Sequence, residues 1–176
     1  FRGRHHISIK TGLFKKRFPT NPSLVRTISL NEWKNNIPSF FFYGKNIKGL
    51  QKQKSDRLED MFNDLSVGTY TFFGKSKYHL GIDFDWITNP VSKYKYDINQ
   101  HWSSINDLSE ENGDIKFVWE KARFSFLYDL ILYDYHYNTD CSELVFKEII
   151  SFIDKNPVNQ GPNYICSQEI SLRVLN

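Results

Sequence analysis

The sequence is poor in sulfur, with two cysteines, Cys141 and Cys166, and one methionine in 176 residues. Neither cysteine stands in a CxxC pair or beside a histidine at ligand spacing, so no zinc site is read. Two cysteines can close one disulfide in an oxidising compartment, and spacing alone leaves that open. No stretch approaches the roughly 20 apolar residues that a membrane span needs. There is no GxSxG and no HExxH. His5, His6, His79, His101 and His136 are scattered, with no metal spacing between them. No catalytic residue, metal or cofactor is therefore assigned. The formal net charge is only +3 and the pI about 8.7, which gives no ground for a nucleic-acid partner. No leader peptide is visible at the start, which is Phe1 and not Met. The chain stops at Asn176 inside a helical pattern, so a fragment is expected.

What is abundant is aromatic surface: 15 Phe, 10 Tyr and 4 Trp, in a chain that is 40% hydrophobic. Such a composition is globular. Most of these rings belong to a core, although aromatic faces also stack on the apolar face of a sugar ring. The basic residues crowd the start, at Arg2, Arg4, Lys10, Lys15, Lys16 and Arg17. That cluster reads as a solvated face or as a contact for an anionic polymer.

Residues 1–54 read as an N-terminal arm and irregular segment. The arm proper is residues 1–23, ending in Pro19 and Pro22. Phe40 to Tyr43 before Gly44 could be a short buried strand or a loop plug. Residues 55–65 form a helix capped by Ser55, with Leu58, Met61, Phe62 and Leu65 on one face. Residues 69–73 are β-prone and short. Residues 81–108 read as an ordered loop pinned by Trp86 and Trp102.

The strongest helical pattern runs from about 115 to 137 behind a cap at Asp114. It is apolar on most of its circumference and is expected to be buried on several sides. A helix over 142–155 follows, with Asp140 and Glu143 as a capping box and Val145, Phe146, Ile149, Ile150 and Ile153 buried. Asn156-Pro157 stops it. Gly161-Pro162 turns the chain into a last helix that starts near residues 163–167.

Chemistry-bearing residues fall on these last helices. Lys116, Glu120 and Arg123 are spaced i, i+4 and i+7 on one face. They read either as an ion-pair ladder or as a cleft wall in which Arg123 grips an anion. Glu169 and Arg173 repeat the i, i+4 arrangement, and Asn163 could cap the last helix or reach a ligand. Asp83 and Asp85 are a weaker carboxylate pair in the loop, of the kind glycoside hydrolysis uses. His101-Trp102 is the most site-like histidine pair, with a structural role expected.

Gly113 through Phe124 (Gly-Asp-Ile-Lys-Phe-Val-Trp-Glu-Lys-Ala-Arg-Phe) resembles the DIKxxWExxRF segment of heparinase II/III-type polysaccharide lyases. Asp85-Trp86 with Asn89-Pro90 resembles that family's upstream tryptophan loop. Asn156-Pro157, Gly161, Asn163-Tyr164, Glu169 and Arg173 resemble its NPxxxGxNWxxxxExxxR segment, with Tyr164 where the family has Trp. The similarity covers roughly residues 60–176. It implies an all-α fold, the first part of an incomplete (α/α) toroid over residues 55–176, with an irregular arm and few short strands. It implies a lyase that cleaves uronic-acid-containing polysaccharide by β-elimination. In that reaction a polar group neutralises the uronate carboxylate and a Tyr or His moves the C5 proton. The family's proton-transfer groups lie in later segments, so none is carried over. Lys116, Trp119, Glu120, Arg123, Asn163, Glu169 and Arg173 are the positions implied near substrate. The implied partners are an acidic polysaccharide and a C-terminal remainder completing the toroid and a β-sandwich. The implied compartment is periplasmic or cytoplasmic, the periplasm slightly favoured. The alternative is a non-catalytic carbohydrate-binding or polysaccharide-assembly protein.

Overall fold

The computed structural model describes residues 7–20, 29–36, 51–106 and 109–176. The run from Phe40 to Tyr43, and Arg2 and Arg4, lie outside them. About 51% of the structure is helical. The elements are α1 (Leu13–Arg17), α2 (Leu30–Asn35), α3 (Asp56–Ser66), β1 (Thr69–Phe72), β2 (Ser76–His79), α4 (Lys116–Ala122), α5 (Phe126–Tyr137), α6 (Ser142–Lys155) and α7 (Ser167–Leu175). Short 3-10 turns stand at Trp102–Ser104 and Pro162–Tyr164.

The all-α toroid expectation is overturned. A toroid is built from stacked helix pairs alone, whereas here a two-stranded sheet packs among the helices. The helices are short, and β1 pairs with β2 in an antiparallel hairpin. That hairpin is structural, because its Tyr70 and Phe72 belong to the main core. Fully burying a Phe contributes about 1.5–3 kcal/mol, so Phe72 anchors the hairpin as firmly as any helix residue. α4 packs on β1 and on the 3-10 turn at Pro162, while α3 packs on α5 and on β1.

The long helix expected over 115–137 is two helices. Phe124, between them, has φ +62°, a left-handed conformation uncommon for a bulky side chain. The break redirects the chain so that Phe124 and Phe126 enter the same core. Phe124 meets Trp86 at 5.9 Å and Phe152 at 5.4 Å between ring centroids. Burial on several sides holds for α4, where five consecutive residues from Val118 to Ala122 are buried, but not for α5. α5 buries Phe126, Leu127 and Leu130, but Tyr128, Ile131 and Leu132 are exposed. It also packs on α3, where Phe62 stacks on Tyr133 at 4.0 Å. Asp114 does not cap α4 from the N-cap position, which Ile115 occupies, although its carboxylate accepts the Lys116 N–H.

α3 follows its pattern. The Ser55 hydroxyl accepts from the Leu58 N–H, and Leu58, Met61, Phe62 and Leu65 are half-buried. α6 spans the expected residues, but its buried face is Val145, Glu148 and Phe152. Ile153 is exposed and Phe146, Ile149 and Ile150 are half-buried. There is no Asp140–Glu143 capping box. Asp140 instead accepts from the Ser142 hydroxyl and Ser142 N–H, which with Lys34 hold its carboxyl down to about 2.

The described part of the arm, residues 7–20, is tied to the rest of the chain. Phe14 and Phe18 pack against Trp102 at 5.3 and 6.2 Å. His101 ties the same segment down. Its Nε2–H donates to the Phe18 carbonyl at 3.0 Å, while its Nδ1 accepts from the Ser103 N–H. The loop over 81–106 carries Trp86, fully buried at φ +68°, with its indole N–H on Ser151 Oγ. A second cluster of Ile87, Tyr96, Ile115, Val118 and Trp119 forms beneath it. Both cysteines are free thiols, Cys141 in the main core and Cys166 against the second cluster.

Candidate functional site

The residues singled out from the sequence converge, but mostly on one another. Arg123 lies at the centre. Its Nε and Nη2 donate to the two oxygens of Glu169 on α7, and its Nη1 donates to Glu120 one turn back on α4. This planar, two-pronged pairing of guanidinium and carboxylate is the strong form of the interaction. Glu120 and Glu169 are buried, which such a pair requires, since an unpaired buried charge costs several kcal/mol. Of the two readings of the Lys116–Glu120–Arg123 stripe, the ion pair holds for Glu120 and Arg123. Lys116 does not join it. Its ammonium is exposed and lies 3.9 Å from Asp114.

Arg173 does not form the contact pair expected with Glu169. Its Nε donates to the Ala122 carbonyl at 2.7 Å and its Nη2 to the Asn163 carbonyl at 3.1 Å. Its guanidinium covers the Phe152 ring at 4.4 Å. Those two carbonyls are groups that the ends of α4 and of the Pro162 turn would otherwise leave unmet. Asn163 neither caps α7 nor faces solvent. It is buried, with its amide donating to the Trp86 carbonyl and to Asn156 Oδ1. Trp119 is a tie as well, its indole N–H donating to the Pro162 carbonyl at 2.9 Å. The motif spacing thus builds a scaffold that binds α4, the Pro162 turn and α7 together.

Two concavities border this scaffold. The larger, about 720 Å³, lies between α3, the β1–β2 turn and the α4–α5 junction. Glu120 reaches it, alongside Arg57, Asp60, Thr71, Lys75, Lys77 and Asp129. Lys77 is paired with Asp64 at 2.5 Å. Arg57 and Lys75 have no contact ion pair among the described residues. Burial pushes the Asp129 carboxyl up, and the nearby charge of Arg57 partly opposes that. The smaller concavity, about 420 Å³, is lined by Lys116, Trp119, Ile115, Glu110 and Ser109. Arg123, Asn163, Glu169 and Arg173 line neither.

Glu120 also fixes the hairpin tip. Its second carboxylate oxygen accepts the Phe73 N–H at 2.8 Å. The hydrogen bond spans 47 positions in sequence and could not be read from spacing.

A second charged cluster was missed altogether. Lys121 is 2% exposed, and its ammonium lies 2.9 Å from Glu148 on α6. The ammonium sits 4.0 Å from the Trp86 ring and 4.5 Å from the Tyr70 ring. The Tyr70 hydroxyl donates to the other Glu148 oxygen at 3.3 Å. Burial pulls the Lys121 amine down, against the pull of Glu148, and burial drives the Tyr70 hydroxyl well above its ordinary range. One signal was available: Lys121 lies at i+4 from Phe117 and i−3 from Phe124, inside an apolar stripe.

Asp83 and Asp85 do face a depression, of about 340 Å³. Asp85 is nonetheless committed to the loop. Burial raises its carboxyl, but hydrogen bonds from the Thr88 hydroxyl, the Ile87 N–H, Lys95 and the Thr88 N–H outweigh that and leave it low. Among the described residues no group of His, Cys, Asp or Glu could hold a metal ion, and no helix is long and apolar enough to cross a membrane. Comparison with known proteins gives no matching family model, no similar curated protein and no similar solved structure.

Proposed function

We propose that this chain forms a wall of the substrate cleft of a heparinase II/III-like lyase acting on uronic-acid-containing polysaccharide. It supplies binding surface and scaffold, not the groups that move the proton. The observation that carries this reading is the place of Glu120. The segments in which the resemblance was read, residues 113–124 and 156–173, meet in the Glu120–Arg123–Glu169 network, and Glu120 then borders a groove of about 720 Å³. Arg57 and Lys75 in that groove offer cations to a uronate carboxylate. A cation there would neutralise the carboxylate, which is the electrostatic condition for removing the C5 proton.

One observation favours a second reading, a carbohydrate-binding or polysaccharide-assembly protein without turnover. The carboxylates of Glu120 and Glu169 are both paired with Arg123, so the charged residues of these segments build structure and a groove border, which binding alone accounts for. Both readings require binding, and β-elimination by the intact protein separates them.

The test is titration calorimetry with polygalacturonate and with heparin, and neutral dextran as control. Binding to an acidic polymer should weaken with added salt. Arg57→Ala with Lys75→Ala should weaken it about tenfold, the equivalent of about 1.4 kcal/mol. Residues 1–176 alone should release no unsaturated uronate. Failure to bind either acidic polymer, or turnover by these residues alone, refutes the proposal.

A further inference from the structure

The hairpin tip carries a feature that packing does not require. Phe73 has φ +53°. The left-handed region is a genuine outlier for so bulky a side chain, and such strain persists only where the surroundings enforce it. The next residue, Gly74, at φ +70° with open space around it, shows what a turn of this kind ordinarily uses. Yet the Phe73 ring is not buried in return for the strain. It is 41% exposed, supported on one side by the edge of Phe117 at 5.0 Å.

The turn asks for positive φ at both central residues and is closed by the Lys75 N–H on the Phe72 carbonyl, and a relay of charge braces it from the side. The Phe73 N–H is held by Glu120, Glu120 by Arg123, and Arg123 by Glu169 on α7. A hydrogen bond to a charged acceptor is worth more than a neutral one, and this acceptor is itself immobilised. The same tip borders the groove, since Gly74 and Lys75 line it beside Thr71. A hydroxyl, Thr71, and a cation without a contact ion pair among the described residues, Lys75, therefore line the groove, and the exposed Phe73 ring lies between them in the chain, next to the lining. Those are the three groups that recognise an acidic pyranose: a surface for its apolar face, a partner for a ring hydroxyl, and a charge for its carboxylate.

We infer that Phe73 is a stacking platform for a sugar ring of an acidic polysaccharide at the lip of the groove, with Glu120 as the positioning residue that holds it in place. The inference rests on the carbohydrate reading above and specifies its contact. In this arrangement the motif network has a function at the surface: it holds a strained turn ready for ligand, so the ordering cost is not met on binding.

The experiment is calorimetric binding of polygalacturonate and heparin to the intact protein, with thermal melts of the same samples. Phe73→Asn removes the ring but suits a left-handed backbone. It should leave Tm unchanged or raise it, and weaken binding about tenfold or more, as for loss of a central aromatic anchor. Phe73→Trp should restore affinity to within about threefold of wild type, because the stacking face is kept. Glu120→Leu should weaken binding in the wild-type background and have no further effect in the Phe73→Asn background, the non-additivity expected of two residues acting as one. An additive Glu120→Leu loss overturns the positioning role, because a merely structural effect would persist. A Phe73→Asn protein that binds as wild type, or that melts lower, overturns the platform. Absence of wild-type binding to either acidic polymer overturns the carbohydrate reading and the platform with it, whereas normal wild-type binding with an unaltered Phe73→Asn affinity overturns the platform alone.

Discussion

Replacing Lys121 by Met should be among the most damaging conservative-volume changes in the chain. The Lys121 side chain is 2% exposed and that of Glu148 9%, with 2.9 Å between ammonium and carboxylate. Lys121→Met keeps the apolar stem but leaves the Glu148 charge buried without its counter-ion. Breaking such a pair from one side costs about 3–5 kcal/mol. Loss of the ammonium over the Trp86 ring adds about 0.5–2 kcal/mol. Against a typical stability of about 5–15 kcal/mol, a large part of the folding free energy would go. Glu148→Leu should cost a similar amount, since it strands the lysine and also removes the acceptor of the Tyr70 hydroxyl. The decisive sample is the triple variant Lys121→Met, Glu148→Leu, Tyr70→Phe. It removes every polar member together, and exchange of a buried polar group for an apolar one of like shape is often neutral or stabilising. Urea unfolding at neutral pH, followed by tryptophan fluorescence, measures all of these, with constant m values confirming that only stability has changed. Trp86, in contact with the lysine, reports the site directly. Single-variant losses under about 1 kcal/mol, or a triple variant as unstable as the summed singles, would refute the argument. The first would mean that water reaches the pair, and the second that its members act independently.

Three further outcomes follow from the structure. Burial, and then the charge of Glu148, raise the Tyr70 hydroxyl far above its ordinary value near 10. Its contribution is thus complete below that value and lost as pH rises above it, where the unfolded chain ionises and the folded one does not. The stability difference between wild type and Tyr70→Phe should be constant up to about pH 9.5 and then fall by up to about 1.4 kcal/mol per pH unit. Lys121, lowered by burial, works in the opposite sense in this window but is common to both proteins. A difference that stays level to pH 11 contradicts this. Gly68→Ala should be severe, because φ is +77° and the new Cβ would stand 2.3 Å from the Gly81 carbonyl carbon, which is backbone and cannot yield. A loss of about 3 kcal/mol is expected from strain and overpacking together. Gly74→Ala, with a similar φ but open space, should cost only about 1 kcal/mol in the same urea series.

The sequence was informative where the cause is local. Ser55 before a spaced apolar face predicts α3, and Asn156-Pro157 marks the end of α6 because a residue before proline leaves the helical region. Composition fixed the aromatic character of the core. The pairing of Glu120 with Arg123 was open to inspection, since one turn of helix brings those side chains together. Residues 113–124 and 156–173, the segments in which the resemblance was read, meet in the folded chain, but not in the toroid that was expected of them. Their meeting point is a scaffold against a hairpin.

The rest was decided by contacts between segments far apart in the chain. Periodicity carries one long helix through Phe124, but the pull of Trp86 and Phe152 on that ring stabilises a left-handed residue, and the helix breaks there. Lys121 lies one position from Glu120 and is exchanged for a different partner by the direction of its side chain, toward α6 and Tyr70. Neither the carboxylate that meets it nor the N–H of Phe73 that meets Glu120 is near in sequence. Buried charges and strained backbones are stable only in the company of specific partners, and those partners exist only once the chain has folded.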